Sequence, residues 1–183
     1  KDETDGSKVR NNDAFAWRFF PKALARAPQP IRVTKAKPSG VRRIVVLGGS
    51  AAMGDPQPAF GLSRVLQRLL EDRYPNERFE VINAAVTAIN SHVVLPIARD
   101  CVDLTADLWV LYMGNNEVNG PYGSGSVFGS RRPSLGTIRA NLKFQKTRVG
   151  QWMSTFGGEG RASVPKRGGG REMFRAQQSA IAD

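Results

Sequence analysis

At 183 residues, with 40% apolar side chains, three Trp and nine Phe, the chain is long enough for one domain and apolar enough to build a core, which excludes wholesale disorder. A single cysteine, Cys101, excludes an intrachain disulfide, and no apolar run approaches the ~20 residues of a membrane helix. The net charge of +11 suggests a nucleic-acid footprint, but the charge is segregated: residues 1–43 carry 11 basic and 4 acidic side chains, residues 44–129 carry 5 and 9, and residues 130–183 carry 11 and 3. The stretch that reads as the folded core is therefore acidic, which argues against a specific DNA- or RNA-binding domain. The basic flanks read as solvated surface, or as segments facing an anionic lipid or nucleic acid through salt-sensitive contacts.

In chain order, residues 1–13 are polar and read as a loose terminus. Phe15, Trp17, Phe19 and Phe20 form an aromatic cluster that reads as packing. Prolines 21, 28, 30 and 38 extend it into an arm over residues 1–40. From Val41 the pattern becomes regular, and residues 41–183 read as the α/β domain. Ile44 to Leu47 is a short apolar run bounded by charge and glycine, as expected of a buried parallel strand. Leu62, Val65, Leu66, Leu69 and Leu70 fall at helical spacing, and Pro75 stops that helix. Phe79 to Ile82 reads as the second strand, Ser91 to about Val102 as a helix that tolerates Pro96, and Leu108 to Met113 as the third strand. The alternation predicts parallel pairing through right-handed crossovers. Beyond it, residues 120–136 read as a long loop and Ile138 to Phe156 as a helix of imperfect periodicity. Residues 157–170 read as a mobile Gly-rich segment, and Glu172 to Ala182 as a last helix.

Each of the three strands ends in an unusual turn: Gly48-Gly49-Ser50, Asn83-Ala84-Ala85 and Gly114-Asn115-Asn116-Glu117. In a parallel sheet these turns share the carboxyl edge, where open α/β sheets bind ligands. A hydroxyl, backbone N–H groups and a carboxamide would converge there. Attack on an ester carbonyl needs that set, with Ser50 as nucleophile and the donors placed where the oxyanion develops. An ordinary βα turn, with Ser50 capping the next helix, would share the first of these features.

In these residues the chain resembles the SGNH hydrolases, the GDSL esterase/lipase family, over about residues 41–129. Gly48-Gly49-Ser50 matches the first block, with Gly49 where an Asp is usual. Asn83-Ala84-Ala85 is placed like the second block, with Ala85 in place of the glycine whose N–H faces the oxyanion. Gly114-Asn115-Asn116-Glu117 matches the third, Gly-x-Asn-Asp, making Asn116 the side-chain donor. The resemblance implies a three-layer, flavodoxin-like α/β sandwich around a parallel sheet of about five strands. It also implies a serine ester hydrolase acting on a carbohydrate or small-molecule ester, without cofactor. Family members are frequently exported or membrane-tethered, and the basic arm would suit a segment near a membrane.

The family's fourth block, Asp-x-x-His, is absent. The only histidine, His92, lies just after the second block, where a local structural role at the helix start is the simpler reading. The expectation is a chain incomplete at its C-terminal end, and as such a poor catalyst. The rival expectation is a carbohydrate- or acyl-binding module with a dead site. A nucleotide-binding domain is the weakest rival, because Gly48 to Gly54 is neither Gly-x-Gly-x-x-Gly nor a phosphate loop. One His and one Cys do not make a usual metal-ligand set.

Overall fold

A computed structural model describes residues 8–20, 25–123 and 134–156. Its centre is a three-stranded parallel sheet of β3 (Val41–Gly48), β4 (Arg78–Asn83) and β5 (Leu108–Tyr112), in the order β4-β3-β5. The register sets Ile44 beside Val81 and Leu108, and Val46 beside Asn83 and Val110. Side chains alternate along β3, so Val45 and Leu47 face one layer and Ile44 and Val46 the other. The first layer holds α3 (Ser91–Cys101), whose Val93, Val94 and Ile97 are buried with Val45, Leu47 and Ile82. On the other face the short α1 (Ser50–Met53) buries Ala52 and Met53 against Val46 and Ala85, and α2 (Leu62–Arg73) follows it beside β4. The three expected strands and both helices between them are present, and the fold is a mixed α/β fold with a parallel sheet flanked by helices.

Three features depart from the expectations. Residues 8–10 are not loose: β1 (Lys8–Arg10) pairs antiparallel with β2 (Arg32–Thr34), Val9 lying across from the buried Val33. The Asn11 side chain locks this ribbon by accepting the Ile31 N–H at 2.8 Å. The aromatic cluster divides: Phe20 is buried and Phe15 and Phe19 pack with it, while Trp17 is half exposed. The helix expected up to Phe156 is two, α4 (Leu135–Gln145) and α5 (Arg148–Phe156). Thr147 divides them, its hydroxyl donating to the Phe144 carbonyl at 2.7 Å while accepting the Gly150 N–H at 3.0 Å. The expectations for residues 157–170 and for Glu172 to Ala182, and most of the 120–136 loop, lie outside the described residues.

Arg43 is the buried hinge of the arm and the sheet. Its side chain is fully buried and donates to Glu80 at 2.6 Å, to the Leu104 carbonyl at 2.6 Å and to the Thr34 carbonyl at 3.0 Å. It thereby ties β4, the turn before β5 and the arm to one guanidinium, whose planar fork suits such multiple recognition. Cations of the arm and of the start of β3 also meet carboxylates of the acidic centre: Arg26 faces Asp55 at 3.7 Å, Lys35 faces Asp103 at 3.3 Å, and Lys37 and Arg42 pair with Asp107 and Glu77. Much of the basic flank over residues 26–43 is thus answered inside the molecule.

At the other end of the sheet β5 is barely covered. Leu108 and Tyr112 on one face are 53% and 51% exposed, and Trp109 and Leu111 on the other 39% and 61%. No strand among the described residues pairs with its outer edge.

Candidate functional site

The parallel register brings the carboxyl ends of β3, β4 and β5 to one edge, and with them the three turns. Gly48 closes β3 with φ +154°; a Cβ there would lie 2.0 Å from the Tyr112 carbonyl oxygen and 2.7 Å from Ala52 Cβ. Only glycine lets the strand run this close to β5 and still enter α1. Gly49 is the N-cap of α1 and Ser50 its first residue, partly exposed, its hydroxyl without a hydrogen-bond partner among the described residues.

A Cβ built on Gly49 would stand 2.9 Å from Asn116 Nδ2 and 3.7 Å from the Ile89 carbonyl oxygen. The carboxamide from the third turn therefore occupies the space that a side chain at position 49 would need, beside Ser50. The first and third turns meet as the sequence suggested, and the segment after β4 passes the same point at Ile89.

The second turn is arranged differently. The Ala85 N–H donates to Asn83 Oδ1 at 3.1 Å, and Ala85 is fully buried with Val46 and Met53. Its amide is engaged in a local side-chain turn and is not offered to a ligand. Asn83 Nδ2 bonds the carbonyls of Ala52 and Met53 at 3.2 and 3.1 Å, so this residue fastens the end of α1 to β4. Three residues after Ala85, Ala88, exposed, adopts φ +61°, a conformation that L-residues other than Asn and Asp rarely take. No acceptor among the described residues takes its N–H. Position 88, not 85, has the backbone of a glycine, and it adjoins the Ile89 carbonyl beside Gly49. The sequence signal was weak, because an alanine in that conformation looks like any other alanine.

Glu117 does more than supply the acid of the third turn. Its carboxylate accepts the Ser91 N–H at 3.0 Å and the Ser91 hydroxyl at 2.7 Å, joining that turn to the start of α3. His92, one residue on, is half buried with its ring edge-on to Tyr122 at 6.3 Å, and no hydrogen bond joins it to Ser50. Burial pushes the Tyr122 phenol above its usual range, against the opposing hydrogen bonds of Asn141 and Gln145. A hollow lined by Pro38, Val41, Arg78 and Phe79 lies at the opposite end of the strands, away from these turns. No protein-family model matches the chain, and no curated protein matches it significantly.

Proposed function

We infer that the chain carries the nucleophile and oxyanion half of a serine ester hydrolase of SGNH type, acting on a carbohydrate or small-molecule ester. The observation that supports this reading is the placement of Asn116 Nδ2 in the space above Gly49, next to Ser50. On this reading the Ser50 hydroxyl and the Asn116 carboxamide would serve one small volume at the carboxyl edge of a parallel sheet. Ser50 Oγ would attack the ester carbonyl carbon, its proton passing to a general base, and the alcohol would leave with a proton as the acyl-enzyme forms. The oxyanion would be held by the Ser50 N–H, the Asn116 carboxamide and, in place of Ala85, the Ala88 N–H. The only histidine in the sequence has its ring edge-on to Tyr122, and no histidine is hydrogen-bonded to Ser50 among the described residues. Without such a base the reaction would be slow.

A binding module of the same architecture is the second reading, favoured by the Ser50 hydroxyl having no hydrogen-bonded base among the described residues. Labelling with a fluorophosphonate in the presence of added imidazole, which supplies an external base, followed by mass mapping, separates the two. Covalent adduct on Ser50, absent from Ser50→Ala, supports the hydrolase. An unlabelled Ser50 in a folded protein would sink the hydrolase reading.

A further inference from the structure

Glu117 holds the turn after β5 on the start of α3, and the Asn116 carboxamide is the neighbouring side chain. We propose that Glu117 is a positioning residue, fixing Asn116 Nδ2 over Gly49 by its two hydrogen bonds to Ser91. The assignment deepens the hydrolase reading and rests on it for its catalytic meaning, but not for its geometry.

Three observations lead to it. First, Asn116 has no hydrogen bond from its own side chain among the described residues, so its orientation is set through the backbone of its turn. That backbone is short-tethered: the Asn116 carbonyl accepts the Gly120 N–H at 2.7 Å, closing a tight loop, and the loop touches α3 next at the Pro121 carbonyl, which accepts Asn90 Nδ2 at 2.8 Å. Second, Glu117 reaches both donors of one residue, a two-point attachment that fixes direction as well as distance. Third, α3 needs that carboxylate. Asn90 stands at its N-cap but makes no capping bond, its side chain being turned to Pro121, so the first free N–H of the helix is satisfied from another turn. The helix start and the donor turn therefore form one unit, and α3 is anchored in the main core through Val93, Val94 and Ile97. A rigid helix so positioned is the type of support a preorganised donor requires.

Two readouts on the 183-residue chain test this. In the wild type a nuclear Overhauser contact is expected between the Asn116 side-chain NH2 and Gly49 Hα, which stands where the close approach occurs. It should vanish in Glu117→Ala while the amide spectrum of the sheet is kept, and weaken in Ser91→Ala, which removes only the hydroxyl tie and covers the case in which Glu117→Ala fails to fold. A contact of unchanged strength in these variants overturns the proposal whether or not the protein is a hydrolase.

The second readout is the rate of Ser50 labelling by the fluorophosphonate, with the same added imidazole as external base. Glu117→Ala should slow it about as much as Asn116→Ala, on the order of 10²-fold, and the double variant should be no slower than Asn116→Ala alone. Independent, multiplying losses would mean that Glu117 acts only by capping α3, and would also overturn the proposal. Failure of Ser50 to label at all counts against the hydrolase reading alone, since the contact measurement still decides the role of Glu117.

Discussion

Ala88→Gly should stabilise the protein, against the usual cost of introducing glycine. Ala88 is exposed, so no packing is lost on removing its methyl group, and its φ of +61° holds an L-residue in the left-handed region. That conformation costs about 1–2 kcal/mol for a residue with a Cβ. Glycine removes this strain but gains freedom in the unfolded chain, worth about 0.4–1 kcal/mol in the opposite direction. The difference is a gain of about 0.5–1 kcal/mol. At roughly 2–4 °C per kcal/mol for a chain of this size, the midpoint of thermal unfolding should rise by about 1–4 °C. The control is Ala140→Gly, at an exposed position inside α4, where the same chemical change meets helical backbone and should cost about 1 kcal/mol. Urea unfolding of both variants, with the slope checked for constancy, gives the two signs side by side. Equal destabilisation by the two would refute the reasoning, because it would mean that residue 88 is not left-handed in solution.

Gly49→Ala places a methyl about 0.5 Å inside ordinary van der Waals contact with Asn116 Nδ2, which must swing away; Ser50 labelling should fall by ~10-fold or more while the unfolding midpoint stays within a few degrees, and a wild-type rate would show that the carboxamide is not the donor. Glu80→Ala leaves the fully buried Arg43 without its carboxylate. Because Glu80 is partly exposed, the loss should lie near the lower end of about 3–5 kcal/mol, and a urea-measured loss under ~1 kcal/mol would refute the clamp. Burial, with the nearby Asp100 adding to it, pushes the Cys101 thiol from 9.0 up to about 11. Folded protein should then react with a disulfide reagent at pH 8 about 100-fold more slowly than urea-unfolded protein. Since the folded state disfavours the thiolate, this group's contribution is complete below pH 9 and declines as pH rises from there towards 11; folded reactivity within tenfold of unfolded would contradict the burial.

The sheet was legible because its signals are local. Four consecutive apolar residues ending at Gly48-Gly49 can be little else than a buried strand before a tight turn, and the helix between Leu62 and Pro75 carries its own period and stop. Ser50 and Asn116 were legible for the same reason: each follows directly from the end of a strand, and parallel pairing carries both to one edge. What escaped was set by contacts between distant segments. Arg43 looks like the charged border of a strand, and nothing nearby in the chain announces that Glu80, Leu104 and Thr34 will surround it. Lys8 to Arg10 becomes a strand only because Arg32 to Thr34 lies beside it. The engaged Ala85 amide and the left-handed Ala88 have a subtler cause. The turn after β4 is longer than it reads, since Asn83 folds back on the Ala85 amide before the chain reaches its left-handed residue.

The position of the donor turn explains why it needs the ties it has. Parallel strands are ordinarily covered on both faces, and β3 meets that condition: Val45 and Val46, on opposite faces, are both fully buried. β5 does not, with Leu111 61% exposed on one face and Leu108 53% on the other. Among the described residues its hold on the molecule comes mainly from one ladder to β3, and strands with few buried apolar contacts and solvent-facing hydrogen bonds open at low cost. Asn116 follows directly from this least-covered strand, whereas Ser50 follows from the most-covered one. If the two were joined only through the β3–β5 ladder, the donor would move with every fluctuation of β5. The bonds from Glu117 to Ser91 and from Asn90 to Pro121 bypass that ladder and refer the turn to α3, whose apolar face is buried against β3 itself. Ser50 and Asn116 then share one rigid reference, the β3–α3 layer, and the looseness of β5 is kept out of the distance between them.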